Sequence, residues 1–456
     1  MADEKVMEKR SQRRKMMLEE PISRVIPVMA VPTVISMLID SFYNMADTYF
    51  VSRLGLAATA AVGVNDSLMM MLRAVAMGFG MGASSYISRL LGAKKDEMAC
   101  KVATTSLFTA MSMSIVLLAV GTIFTEPLVM LLGSTQTSKI YSMQYARFIL
   151  LAAPFTSGEV VLSQLLRSEG STQYSMIGMT SGCVLNIALD PLFISTFGLG
   201  VAGAAMATAI SKVVGFCILL SPFLKKKTML ELKKKHFSPC RKIYGEVAKM
   251  GIPTFLRSML LSVSTVVTNN MAGGFGDTAL AAVSVANKCM RFLGSAIIGF
   301  GQGFSPVAGY CWGAKKYKRV LEAFWFTSFM GVCVAVFCGA AMSIGAEKLV
   351  GVFTAANDPK IIAVGSYMIR AQCLVMTAHM WVIVVSNLFQ ALGRAVNATI
   401  LNLSRQVICL IPCVIVLSRA FGVYGLASAQ AVSDMMALLM ALPLFLKLRR
   451  EIKTQQ

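Results

Sequence analysis

The 456-residue sequence predicts an all-α polytopic membrane protein, with twelve transmembrane helices arranged as two homologous six-helix bundles. Three observations predict this. Hydrophobic residues make up 56% of the chain and charged residues only 14%, against roughly 25% charged residues in soluble domains. Apolar windows of about 20 residues, each enough to cross a hydrocarbon core of roughly 30 Å, recur along nearly the whole length. Sliding the chain against itself by 221 residues aligns 32–95 with 253–316 without a gap, and 20 of those 64 positions are identical.

Taken in order, a polar tail at 1–23 precedes a first bundle at 24–221, with helices at 24–48, 56–80, 100–122, 142–167, 174–197 and 201–221. A basic linker at 222–244 leads to a second bundle at 245–447, with helices at 245–271, 278–304, 320–343, 361–390, 396–418 and 423–446, and a tail at 448–456. The opening "MADEKVMEKRSQRRKMMLEE" is polar ahead of the first apolar run, unlike a cleavable signal with its short apolar core, and is expected to stay attached. The formal charge of +21 comes from "KRSQRRK", "SRLLGAKK", "KKKTMLELKKKHFSPCRK", "GAKKYKR" and "KLRREIK". Each cluster follows an even-numbered helix or is a terminus, the bias that places both termini in the cytoplasm. Contact with anionic lipid headgroups accounts for these clusters, and nucleic acid is not expected as a partner. Eleven scattered cysteines without a CxxC and only two histidines give zinc or haem almost no ligands, and no cofactor is expected.

The repeat pairs Pro32 with Pro253, Gly55 with Gly276, "AAV" at 60–62 with 281–283, and "GAKK" at 92–95 with 313–316. Its most specific piece is "GFGMG" at 78–82 against "GFGQG" at 299–303; "LLRSEG" (165–170) with "LFQALG" (388–393) and "FGLGVAG" (197–203) with "FGVYG" (421–425) match more loosely. An even number of helices per half makes the repeats parallel, related by an axis along the membrane normal. Such folds hold substrate where the halves meet and work by rocking, which points to a secondary transporter.

Polar groups inside a bilayer are costly, by roughly 2.5–3.5 kcal/mol for an Asp at a helix centre, and are default functional candidates. Within "DSFYNMADTYF", Asp40, Asn44 and Asp47 share one stripe of helix 1 at i, i+4, i+7. In "NIALDP" of helix 5, Asn186 and Asp190 stand one turn apart, and helix 6 offers Thr208 among small residues. Carboxylate, amide and hydroxyl oxygens are the hard ligands a small cation needs. Two carboxylates drawn together in low dielectric do not both stay ionised, so the cluster suits a proton as well as sodium. The repeat pairs Asp40 with Leu261 and Asp47 with Thr268, so the acids are a specialisation of the first half.

Each of these residues has an ordinary structural reading beside the functional one. Asp47 caps or braces its helix end, Asp190 marks a kink before Pro191, and Asn44 is an interhelical hydrogen-bond partner. Asp40 has no obvious basic partner in sequence and reads as a cavity carboxylate that attracts cations. Lys212 and Asp434 fall at equivalent positions of the two halves, where snorkelling toward the cytoplasmic side is the ordinary explanation. Lys288 and Arg291, about one turn apart, brace the second half or repel cations from it. His379 reads as a packing residue or a proton relay. The methionines Met69, Met70, Met71, Met77 and Met81 of helix 2 suit adaptable surfaces, with lipid or core contact as the alternative. Phe42, Tyr43 and Tyr49 beside the acids suit an aromatic cation, or serve as interfacial anchors. The weaker substrate-cavity candidates are therefore Asp40, Tyr43, Asn44, Met71, Arg291 and His379.

From about 20 to 448 the chain resembles the multidrug and toxic compound extrusion (MATE) transporters. The resemblance rests on "YNMADTYFVSRLG", "GFGMGASSYISRLLGAKK", "LDPLFI" with the preceding Asn186, and "GLGVAGAAMATAIS", and on the same series recurring in the second half. Within the family it is most similar to the prokaryotic branch of DNA-damage-inducible exporters and Gram-positive multidrug exporters. The resemblance implies a V-shaped pair of bundles that exports organic cations against an inward proton or sodium gradient. It carries the cation site onto Asp47, Asn186, Asp190 and Thr208, with a backbone carbonyl near Ala204 added; these would be the metal ligands if sodium is the coupling ion. Asp40 departs from the family pattern, where a neutral polar residue such as glutamine is expected.

The expected function is thus a cation-coupled antiporter, monomeric and embedded in the cell membrane, with small organic cations and lipid as partners. A lipid-precursor flippase of the same superfamily is the alternative; twelve helices with an acidic first half count against it. A membrane-embedded enzyme needs a nucleophile, metal or catalytic acid–base pair near a membrane face, and no such constellation is present in the sequence.

Overall fold

A computed structural model describes residues 2–353 and 358–455, and nearly all of them are helical. The order is α1 (Ala2–Glu19), α2 (Ile22–Ser52), α3 (Leu56–Gly92), α4 (Asp96–Ile123), α5 (Thr125–Leu131), α6 (Lys139–Ser168), α7 (Thr172–Pro191) and α8 (Gly200–Leu224). Then come α9 (Arg241–Gly273), α10 (Asp277–Gly313), α11 (Tyr317–Ile344), α12 (Ala346–Phe353), α13 (Pro359–Leu374), α14 (Met376–Ala391), α15 (Ala395–Leu403) and α16 (Leu410–Thr454). Two π-type segments, Leu192–Thr196 and Ser404–Cys409, follow α7 and α15.

Among the described residues ten helices are long and apolar enough to span a bilayer, and α13 with α14 forms one further span bent by 53°. One of the ten, Ala395–Thr454, has 60 residues. That is roughly 90 Å of helix at 1.5 Å per residue, enough for two crossings, and it breaks at Gly422, whose φ of 61° is not helical. The twelve-helix expectation is therefore met, with the eleventh and twelfth spans joined end to end. The predicted tenth helix at 361–390 is bent near Val375, between α13 and α14.

The predicted second and eighth helices stop short of the observed ends, because α3 and α10 continue through the repeat to Gly92 and Gly313. Both stop on the matched "GAKK". Lys94 and Lys315 take left-handed backbone at φ 59° and 58°, and Lys95 N and Lys316 N donate back to Leu90 O and Cys311 O at 2.9 Å. Such a left-handed residue satisfies the last carbonyls of a helix. The matched glycines Gly55 and Gly276 open the same two helices at φ 107° and 99°, a region other residues enter at a cost.

By packing, the chain divides into two units. One comprises Met1–Glu20 and Ile35–Phe255, the other Pro21–Val34 and Leu256–Gln456. The division does not follow the sequence halves, since the start of α2 belongs to the second unit and the start of α9 to the first. The "GFGMG" and "GFGQG" motifs receive these exchanged segments. In the first unit a Cβ on Gly82 would run into the Val247 carbonyl oxygen, and one on Gly251 would lie 2.5 Å from Gly78 O. In the second, a Cβ on Gly303 would lie 2.5 Å from Ala30 Cα, and one on Gly299 2.9 Å from Val34 Cα. Small residues admit backbone this closely in the absence of a hydrophobic drive between helices, so the most specific piece of the repeat is a helix-docking device.

In the first unit α6 is the central helix, 83% of its most apolar window buried, packed by α3, α4, α7 and α8. The predicted polar tail is mostly the helix α1, and it is tied down through Glu169, which is fully buried between α6 and α7. Glu169 accepts from Arg13 Nη1 (2.9 Å), Ser171 Oγ (2.5 Å), Met229 N (2.6 Å) and Leu230 N (3.0 Å). Burial raises its carboxyl above the usual range, and Arg13 with these donors lowers it in part. In the second unit α10, α11, α13, α14 and α16 pack on one another.

Gly82→Ala is expected to lower the melting temperature of the purified protein, overpacking a close contact costing about 1–3 kcal/mol. Gly63→Ala, where an added Cβ meets nothing within 4 Å, is the control and should not lower it. Equal melting temperatures for the two variants would refute the docking role.

Candidate functional site

The predicted cluster assembles inside the first unit from α2, α7 and α8, and Asp47, Asn186, Asp190 and Thr208 are all buried. With the Asn186 amide nitrogen turned to the carboxylate, Nδ2 donates to Asp190 Oδ2 at 3.1 Å. Its oxygen then accepts from Thr208 N and Oγ1 at 3.1 and 3.2 Å. Asn186 thereby fixes both neighbours with one planar group. The regular i→i−4 partner of Thr208 N is the carbonyl of Ala204, and Ala204 is also buried.

Two atoms stand out. Asp47 Oδ1 and Asp190 Oδ1 are both buried and neither has a hydrogen-bond partner among the described residues, and the two carboxylates are close enough for their charges to interact. A buried acceptor left unmatched costs about 1–3 kcal/mol, more when charged, and a proton or a small cation shared between them removes that cost. The donor set of two carboxylates, an amide, a hydroxyl and a backbone carbonyl fits a hard cation. Among the described residues no three His, Cys, Asp or Glu side chains converge as a metal-binding group.

Sequence reasoning missed two members of this neighbourhood. Asp66 on α3 acts electrostatically on Asp47; as an acid inside the apolar run "AAVGVNDSLMM" it carried the same signal as the others. Tyr145 on α6 is buried close to Asp47 and Thr208, and nothing in its sequence surroundings marks it. Tyr43, a cavity candidate, is buried and also lies close to Thr208 and Asp47.

A second set of charges lies alongside. Asp40, which the sequence left without a basic partner, pairs with Arg73 of α3 through two contacts of 3.3 Å. Lys212 does not snorkel: it is buried on α8 and pairs with Glu159 of α6 at 3.0 Å, its ammonium 5.9 Å from the Tyr43 ring centroid. A Cβ on Gly215 would lie 2.8 Å from Glu159 Oε1, so glycine leaves room for the carboxylate. Asp434 is also buried, with Arg405 Nε at 2.7 Å and His379 Nδ1 at 4.0 Å. The snorkelling expectation fails for both residues because neighbouring helices supply counter-charges that position along the sequence does not reveal.

The remaining cavity candidates are dispersed. Asn44 is exposed and donates to Asp40 O at 2.5 Å, Met71 is exposed on α3, and Arg291, like Lys288, is exposed on α10 in the second unit. His379 belongs to the second unit as well, beside Asp434.

With this geometry in view, a family model described as MatE matches residues 32–192 and 253–416, the two halves of the repeat. The multidrug export protein MepA of Staphylococcus saprophyticus subsp. saprophyticus is 28% identical over 423 residues, 92% of each chain. MepA of Staphylococcus aureus is 28% identical over 437 residues, 94% of this chain and 95% of its own. Crystal structures of MATE in complex with MaL6 and of MATE in the straight conformation each superpose with a TM-score of 0.91 at 25% identity, covering 97% of this chain and 98% of theirs. A bent conformation superposes with 0.89 at the same identity and coverage.

Lys212→Met strands Glu159 as a buried carboxylate without its lysine, a change that costs about 3–5 kcal/mol for a broken buried pair. Its membrane yield and melting temperature are expected to fall, and Lys212→Met with Glu159→Gln to recover most of the loss. A double variant as damaged as the single one would show that the pair is not the unit of stability.

Proposed function

The chain belongs to the MatE family of transporters, and on that premise we propose that it is a cation-coupled antiporter exporting cationic amphiphilic compounds from the cytoplasm. The observation that carries this reading is the buried Asp47–Asn186–Asp190–Thr208 cluster with two unmatched carboxylate oxygens. The relatives named as multidrug export proteins support the cargo class.

In this reading H⁺ or Na⁺ entering from outside is held by Asp47 and Asp190, oriented by Asn186 and Thr208, with the Ala204 carbonyl completing the set. Asp47 lies on α2, which contains Pro27 and Pro32, and proline weakens a helix where it removes an i→i−4 bond. Neutralising Asp47 changes what that helix packs against, and cargo held beside it loses affinity. Ion and cargo need only disfavour each other's state, a coupling that is reciprocal by thermodynamic necessity. The straight and bent structures of relatives agree with such a change of shape. The basic clusters at the termini support a reading in which both are cytoplasmic. The protein acts as a monomer in the cell membrane and needs no cofactor beyond the coupling ion.

Asp47→Asn and Asp190→Asn are each expected to lower dye efflux from inverted vesicles at least about tenfold, the equivalent of 1.4 kcal/mol or more, with membrane protein levels unchanged. Normal pumping by both variants would overturn the mechanism. Imposing pH and sodium gradients separately on reconstituted protein identifies the ion: the gradient that alone drives efflux is the coupled one.

A further inference from the structure

We propose that the second unit contains an anion site fitted to a carboxylate, built by Arg257, Arg405 and His379 beside Asp434. Four elements bring these residues together: α9, the π-type segment Ser404–Cys409, α14 and α16. Arg405 Nε donates to Asp434 Oδ1 at 2.7 Å, Gln430 Nε2 donates to the same oxygen at 3.1 Å, and His379 Nδ1 lies 4.0 Å from Oδ2. Ser433 Oγ bonds Arg405 O at 2.9 Å. Ser264 Oγ of α9 bonds Gln406 O at 2.5 Å, so the π-type backbone is held from two sides; such irregular turns recur at functional sites. Arg257 stands seven residues, two turns, before Ser264 and therefore on the helix face that meets this segment.

The charges do not balance. Arg257 has no carboxylate partner among the described residues, and the charge acting on it is that of Arg405, of the same sign. Arg257 thus adds a second positive charge near an Arg405 whose carboxylate is already engaged, and like charges repel. Of the five N–H groups Arg405 carries, Asp434 engages only the one on Nε. His379 Nε2 is buried without a partner. These are unmatched donors in one neighbourhood of the second unit, and the planar guanidinium fork matches a carboxylate in two parallel bonds.

The repeat shows that the fold does not require this set. Arg257 corresponds to Ser36 by the 221-residue offset, and Asp434 to Lys212 by the 222-residue offset that the later glycine-bearing pieces at 200–203 and 422–425 follow. The second unit thus carries a basic residue, Arg257, where the first has the neutral Ser36. This goes beyond the export of cations: it admits carboxylate-bearing compounds, zwitterionic drugs included, as ligands.

Calorimetric titration of the purified full-length protein in detergent with benzoate, with neutral benzamide and with chloride at constant ionic strength tests the site without any transport measurement. Benzoate is expected to bind and benzamide not to. Arg257→Gln should weaken benzoate at least about tenfold, as loss of a hydrogen bond to a charged group does. Arg257→Lys, which keeps the charge and loses the fork, should bind with intermediate affinity, and decides the matter if Arg257→Gln does not fold. Equal benzoate affinity in wild type and both variants, binding of benzamide as tight as benzoate, or a response to chloride equal to that for benzoate would overturn the proposal.

Discussion

A charge inside a membrane-spanning bundle has no water to fall back on, and its partner has to come from another helix of the same unit. That constraint organises the interior of this protein. Glu159 and Lys212 join α6 to α8, Asp40 and Arg73 join α2 to α3, and Asp434 draws Arg405 and His379 together. Breaking such a pair costs more than never having built it, so these contacts fix which helices neighbour which. Against that background Asp47 and Asp190 are the exception, because each has a buried oxygen with no hydrogen-bond partner. These two acids thus stand apart from the carboxylates that paired helices satisfy.

The repeat supplies the frame on which these charges are mounted. Its conserved spacing has mechanical content: left-handed Lys94 and Lys315 end α3 and α10, Gly55 and Gly276 begin them, and the glycines of 78–82 and 299–303 admit the backbone of an exchanged helix segment. None of these features is acidic or basic chemistry. The two units share this frame and differ in what fills it, acids with an amide in one and guanidiniums with a histidine in the other. One scaffold duplicated in this way lets ligand chemistry diverge between halves without altering how either folds.

Much of the fold was legible in the sequence because its determinants are local or periodic. Runs of about 20 apolar residues must span, since backbone polar groups in lipid have to be satisfied within the segment, and a self-match without gaps through turns and loops preserves register. The buried polar cluster was legible for a related reason: Asp47, Asn186, Asp190 and Thr208 are polar groups in apolar helices, and their cost marks them. Asp66 carried that same mark and was overlooked. Tyr145 carried none, since a tyrosine in a membrane helix is ordinary until a hydroxyl is found beside it.

The sequence by itself thus determined the number of spans, the duplication and the short list of costly residues, all set by composition and spacing along one chain. The tertiary structure alone decided the partners. Arg73 lies 33 residues from Asp40 and Glu159 lies 53 residues before Lys212, separations that carry no pairing signal because the counter-charge is chosen by helix packing. The same packing assigned the start of α2 and the start of α9 to units other than those of their sequence halves. A helix turns any of its faces to any neighbour at no cost visible in one dimension, and only close approach in three dimensions selects among them.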